Sequence, residues 1–392
     1  MIDRHTGTFW RASIALGLAS LLIFANMYYP QPLLPLFTGE FNVSEATASF
    51  VISLSLLMLG VSFFFISAIS DAKGRRKIIV YAMIWGTIAT LLIPFAGSFW
   101  LLLLLRMVQA VGLAGIPIAA MSYIGEEFTP RAMTVAMGFY VSANSLGGMG
   151  GRVMSGVLAD WFDWRTAYFF MAGASVLLAV LVILLLPASK NFKPKPLEWS
   201  DTWKNALFHL KDPVQRRAYI IGGLNFFVFI GTFNFITYRL DGDPFFVNTA
   251  VLGLLFLTYG AGTFSSSLAG ELTQRFKQTD CMQTGILIMA SGLLLSLVPQ
   301  LWVVIGSLAV LSFGFFFAHS TSSSWVTKNA KKARASASGL YLTSYYLGGS
   351  LSSIYFGLLW PVAGWIGVIA GGLLLLIVTL TSVRRLMPVE AG

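Results

Sequence analysis

Two arginines, Arg106 and Arg152, interrupt long apolar stretches, while none of the sixteen carboxylates falls in the middle of such a stretch. A guanidinium in that setting costs several kcal/mol unless it is solvated, hydrogen-bonded or paired. Each arginine must therefore either close onto backbone carbonyls or face a wet interior where it can attract an anion. Other polar groups sit at similar depth: Gln109 beside Arg106; Tyr140 and Asn144 ahead of Arg152; Asn26 and Gln31 near the start; and Asn225, Asn234, Tyr238, Tyr341 and Tyr345 in the second half. Such groups suit binding rather than covalent catalysis. Apolar sequence holds no carboxylate pair for acid–base work. His5, His209 and His319 fall at or near expected cytoplasmic segments, and with Cys281 as the one cysteine they form neither a metal cluster nor a disulfide. No enzymatic activity, metal or cofactor is expected.

Composition indicates which elements position these groups. The chain has 392 residues, 56% hydrophobic and 11% charged, with a mean hydropathy of +0.76. Soluble domains carry about 25% charged residues, so this is read as an all-α polytopic protein of the lipid bilayer. Twelve runs of bilayer length cover 12 to 38, 45 to 69, 77 to 96, 98 to 123, 130 to 158, 166 to 187, 217 to 239, 248 to 271, 281 to 299, 301 to 325, 335 to 360 and 363 to 383. The first is too long for a signal-peptide core and is expected to stay as a helix. Ser44 is expected to cap the second run and Thr129-Pro130 the fifth. The net charge of +10 would suggest nucleic acid in a soluble domain, but 22 of the 26 Lys and Arg fall in alternate loops and at both ends. Positive loops are retained inside, which predicts a cell (inner or plasma) membrane protein with both termini cytoplasmic and no nucleic-acid partner.

In the fifth run Tyr140, Asn144, Gly148 and Arg152 step by four and share one helix face, while Gly147, Gly148, Gly150 and Gly151 allow close backbone approach. Shifting the sequence by 201 lays Gly138, Tyr140, Leu146, Gly147, Gly148, Gly156, Leu158 and Trp164 over Gly339, Tyr341, Leu347, Gly348, Gly349, Gly357, Leu359 and Trp365. The fifth and eleventh runs are thus duplicates, and Tyr341 and Tyr345 mirror Tyr140 and Asn144 as facing walls of one cavity. In the first run Pro30 and Pro32 must kink the helix. Asn26 and Gln31 there either face the cavity or bond to a neighbouring helix. The linker 188–216 carries Pro194, Pro196 and several lysines including Lys195. Its Trp199, Trp203, Leu207 and Leu210 sit at helical spacing, either as an amphipathic helix on the membrane surface or as part of a solvated linker.

The second and third runs are joined by a polar knot, Ser67 to Lys77. Asp71 in it has the sign to sit against the positive end of a neighbouring helix, and Gly74 lets the chain turn. A shift of 203 places a degraded copy at Gly270 to Arg275, including Gln274. The knot resembles the cytoplasmic signature of major facilitator transporters: Gly, three residues, Asp-Arg, one residue, then Gly-Arg-Arg or Gly-Arg-Lys. Asp71, Gly74, Arg75 and Arg76 match, with Ser67 and Ala72 in place of the first Gly and the Arg. Arg106 to Gly112 is similar to the family's Arg, two residues, Gln, Gly pattern, with Ala110 for its first Gly. The glycines around Met149 resemble its exporter motif, which has Pro where Met149 stands.

The resemblance, to the drug and metabolite proton antiporter (efflux) group, implies two pseudo-symmetric six-helix bundles, 1–187 and 217–392, that work as a monomer by alternating access. It implies a gating role for Asp71, Gly74, Arg75, Arg76, Gln274 and Arg275, which would hold the inner gate shut. Arg106, Gln109, Arg152, Glu126 and Glu127 are placed on the proton or substrate path, with protons coupled through Asp71 or through Glu126 and Glu127. A cavity whose fixed charge comes only from arginine favours neutral or anionic amphiphilic small molecules or drugs. The alternatives are uptake of an organic anion or nutrient and, remotely, a membrane protein that transports nothing.

Overall fold

A computed structural model describes residues 1–194, 199–332 and 334–387. Lys195, Pro196 and the side chain of Trp199 lie outside the described set. Among the described residues fifteen α-helices follow in order: α1 Gly7–Tyr28, α2 Leu34–Phe41, α3 Glu45–Lys73, α4 Arg75–Leu92, α5 Phe99–Leu113, α6 Gly115–Glu127, α7 Pro130–Trp161, α8 Trp164–Leu185, α9 Trp199–Lys211, α10 Pro213–Asp241, α11 Thr249–Leu254, α12 Tyr259–Leu272, α13 Gln278–Leu295, α14 Leu301–Asn329 and α15 Arg334–Arg384. They make twelve crossings: three crossings are broken helices, α15 contains two, and α9, at 13 residues, is too short to be one. Pro30 supplies no N–H, so α1 gives way to a single tight turn over Gln31–Leu33 before α2 continues. α5 passes to α6 at Ala114, and α11 to α12 through Leu255–Thr258. α15 folds back at Gly364, whose φ of 51° suits glycine, and the Tyr355 hydroxyl then reaches Gly371 O at 3.4 Å across the hairpin.

Side chains cap several crossings where they begin. Ser44 Oγ accepts from Thr47 N at 3.2 Å, Ser98 Oγ from Leu101 N at 3.3 Å and Asp163 Oδ1 from Thr166 N at 2.8 Å. At α7 the first helical residue is Pro130, but the Thr129 side chain makes no cap bond and lies instead 3.5 Å from Asp3 Oδ1. Backbone approach then sets the packing. Gly147 and Gly151 bring α7 against α1, and a Cβ on Gly151 would stand 2.7 Å from Ala25 Cα. Gly348 repeats this on α15 against Gly223 of α10. A second equivalent pair is Gly156, which brings α7 against Gly253 of α11, and Gly357, which brings α15 against Ala46 of α3. Of the four glycines grouped as packing residues, Gly148 and Gly150 do not pack on another helix: Gly148 faces the cavity beside Arg152, and a Cβ on Gly150 would meet nothing within 4 Å.

Candidate functional site

A cavity of about 1080 Å³ lies between the two sets of helices. Its mouth is formed by Ser67 and Asp71 at the end of α3 and by Thr327, Ser336 and Ser338 around the start of α15, so it opens towards the face that carries the basic loops. At its far end is Arg152, nine residues before α7 ends at Trp161. Tyr140, Asn144, Gly148 and Arg152 all line one wall, the face that their spacing predicts. The opposite wall is aromatic: Phe226 stacks on Tyr345 and Phe229 on Phe315, each with centroids 3.8 Å apart.

Arg152 is buried and, among the described residues, has no carboxylate partner. Its Nε donates to Gln31 Oε1 at 2.8 Å and its Nη1 to Gly148 O at 2.8 Å. The guanidinium carbon lies 4.1, 4.6 and 4.7 Å from the ring centroids of Tyr28, Phe256 and Tyr259. Ring faces attract a cation by about 0.5–2 kcal/mol each, which offsets part of the burial cost and leaves Nη2 without an acceptor among the described residues. Above Arg152 the cavity is roofed by a chain of bonds between the two halves. Gln31 Nε2 donates to Asn234 Oδ1 at 2.7 Å, Asn234 Nδ2 reaches Ser353 Oγ at 3.4 Å, and Ser353 Oγ lies 2.5 Å from Ser53 Oγ. At the same face the Tyr238 hydroxyl donates to Glu45 O at 3.0 Å and Asn248 Nδ2 to Asp160 Oδ2 at 3.2 Å.

The remaining expected site residues lie elsewhere. Arg106 does not line the cavity: its Nη1 and Nη2 donate to Asn26 O at 2.9 Å and Met27 O at 2.7 Å, and Nη1 also contacts Gln109 Oε1. Asn26 O would otherwise accept from residue 30, which is proline, so Arg106 takes the place of the missing N–H. Gln109 and Asn26 complete the same buried network with Thr90. Gln31, Asn234 and Tyr238 belong to the roof rather than the wall. Asn225 is buried away from the cavity, and among the described residues no partner reaches either of its amide atoms. Tyr341 stands behind His319, and only Tyr345 of that pair reaches the cavity surface.

The basic knot does not hold a gate shut here. Gly74, with φ 103°, turns the chain, and Arg75 pairs with Asp71 at 2.5 Å and with Glu126 at 2.7 Å. Arg76 donates to Leu186 O and Ile183 O at the end of α8. These contacts tie α3, α4, α6 and α8 to one another without crossing the mouth. Asp71 thus pairs with the first residue of α4, the neighbouring helix, and Glu127 is held by Asn191. Gln274 and Arg275 lie exposed in the equivalent turn. Sequence reasoning missed His319, which lines the cavity ten residues before α14 ends, and the aromatic pair Tyr28 and Tyr259; the four-residue step from Phe315 to His319 was the available signal.

Residues 16–353 match the family model described as Major Facilitator Superfamily. The chain belongs to this superfamily. It is 38% identical over 385 residues to the inner membrane transport protein YnfM of Escherichia coli (strain K12), covering 98% of this chain and 92% of that one. Its identity to the uncharacterized MFS-type transporter YybF of Bacillus subtilis (strain 168) is 35%, covering 97% and 94%. Its fold is similar, at a TM-score of 0.77 and 18% identity, to a bacterial homolog of the human lysosomal transporter Spinster, solved inward-facing and unoccupied, covering 98% and 96% of the two chains. As a major facilitator protein the chain is a multi-pass membrane transporter and not an enzyme.

Proposed function

We propose that the protein exports small neutral or anionic amphiphilic compounds in exchange for protons, by alternating access between the bodies 1–187 and 217–392 joined through 188–216. The basic loops then face the cytoplasm of an inner or plasma membrane, in line with the description of the E. coli relative. The observation that carries the reading is the cavity itself: it is large and aromatic, and among the described residues its one deep fixed charge is a guanidinium whose Nη2 has no acceptor. Aromatic walls accept varied apolar groups, and Nη2 of Arg152 gives an anionic group one fixed contact. An anion there competes with Gln31 for the guanidinium and so loosens the roof between the bodies.

The test uses liposomes holding the full chain and two fluorescent probes, phenylnaphthylamine, which is neutral, and anilinonaphthalene sulfonate, its anionic counterpart. Movement of either probe should follow an imposed pH gradient and cease when the gradient is dissipated; movement indifferent to the gradient removes the proton linkage. Arg152→Gln should lose movement of the sulfonate relative to the neutral probe by about tenfold or more, equivalent to about 1.4 kcal/mol. An unchanged ratio would deny Arg152 its role. The second reading, uptake of an organic anion, is favoured by the positive end of the cavity alone, and counterflow in the same vesicles separates it by direction.

A further inference from the structure

His319 lies on the cavity wall within a set of contacts that provides for both of its protonation states. Its ring stacks on Phe315 at 5.8 Å and 14° and stands 4.7 Å from Tyr345, and its Nδ1 is 3.1 Å from the Tyr341 hydroxyl. That hydroxyl has two uses. It can donate to Nδ1 of a neutral imidazole, or turn its hydrogen to His319 O, 3.4 Å away, and accept from an imidazolium N–H. Imidazole is the side chain whose ordinary charge change falls between about pH 5 and 8.

The charged and titratable groups around it are few. α15 brings Tyr341, Tyr345 and Tyr346, α12 brings Tyr259, α1 brings Tyr28, Tyr140 and Arg152 lie on the opposite wall on α7, and Asp71 stands at the mouth, paired with Arg75. At this level α10 contributes Phe226 and Phe229, and α13 contributes Gly285 and Met289, none of which is charged. No carboxylate faces the ring among the described residues, so an imidazolium there depends on the Tyr341 hydroxyl and on water in the cavity.

We propose that His319 binds the proton that is exchanged for substrate, and that proton and an aromatic substrate are alternative occupants of this wall. The inference rests on the proton-linked reading above and names its site. A guest sliding against Tyr345 and Phe315 expels the water that solvates the imidazolium, and Arg152 repels the remaining charge. The N–H bond of the imidazolium then breaks, the proton passes to water at the open mouth, and the neutral ring keeps its bond from Tyr341. After the guest leaves on the other side, the ring takes up a proton from that side. One proton therefore moves inward for each guest moved out.

The experiment titrates the detergent-solubilised full chain with phenylnaphthylamine in weak buffer between about pH 5 and 8, following binding by probe fluorescence and proton release with an indicator. The wild-type protein should release protons, up to one per probe bound, with a maximum inside that range. His319→Gln should show loss of the release per bound probe, and in liposomes its probe movement should no longer respond to a pH gradient. His319→Asn serves if the glutamine variant does not insert. Equal release from wild type and variant would overturn the assignment while leaving proton linkage intact. Binding to the wild type without release at any pH in the range would overturn it outright. Release without any transport would instead defeat the exporter reading and leave His319 as a proton site.

Discussion

Arg106 and Arg152 are the same residue in the same kind of sequence, and the fold uses them differently. Arg106 spends its donors on Asn26 O and Met27 O, which Pro30 and the turn after it leave without N–H partners, whereas Arg152 points one edge into a cavity. Replacing Arg106 with Met, which is similar in length, should therefore act on stability before transport. Each orphaned carbonyl costs about 1–3 kcal/mol, and thermal unfolding in detergent should show a lowered midpoint. Arg106→Lys should recover only part of this, since an ammonium cannot span two carbonyls in the planar manner of a guanidinium. A variant that keeps its unfolding midpoint but loses proton-driven movement would return Arg106 to the transport path. The sequence shows both arginines to be buried and polar in purpose, yet separating them needs the position of α5 against the kink in α1, which is a tertiary fact.

Helix seams were more legible, because close approach needs glycine and glycine leaves a pattern. The 201-residue shift pairs Gly147 with Gly348 and Gly156 with Gly357, and in the structure each member of a pair makes the corresponding approach: the first to α1 or α10, the second to α11 or α3. The four-residue step from Tyr140 to Arg152 also predicted the wall they form. What composition could not tell is which glycines of a cluster face a neighbour, since adjacent positions on a helix point about 100° apart. Gly151→Ala should force α7 off α1 and cost about 1–3 kcal/mol by overpacking, whereas Gly150→Ala, with open space around it, should stay within about 0.5 kcal/mol of the parent. Unfolding in detergent compares the two; equal losses would mean that the seam yields. Partners of the knot were hidden for a different reason. Asp71, Arg75 and Glu126 are brought together by α6, and a pairing over fifty-one positions in the chain leaves no mark in local spacing.

At the scale of the whole molecule, the cavity is open at the basic face because the two halves touch at the other one. The contacts there are backbone against backbone at Gly156 with Gly253 and at Gly357 with Ala46, with the chain from Gln31 through Asn234 to Ser353 and Ser53 sealing the centre. Small residues make such a seam easy to part, since few side chains interlock and the bonds that break are neutral ones of about 0.5–1.5 kcal/mol each. If alternating access parts this seam, fixing it should stop transport without unfolding anything. Ser53→Cys with Ser353→Cys, in a chain whose Cys281 is replaced by Ala, puts two thiols where hydroxyls now meet across the halves. A mild oxidant should then join them, and movement of phenylnaphthylamine should fall by about tenfold or more and return on reduction. Either single cysteine should be unaffected by the oxidant. A joined pair that still carries probe at the parent rate would mean that these helices never separate, and the route out of the cavity would have to lie elsewhere than through the roof above Arg152.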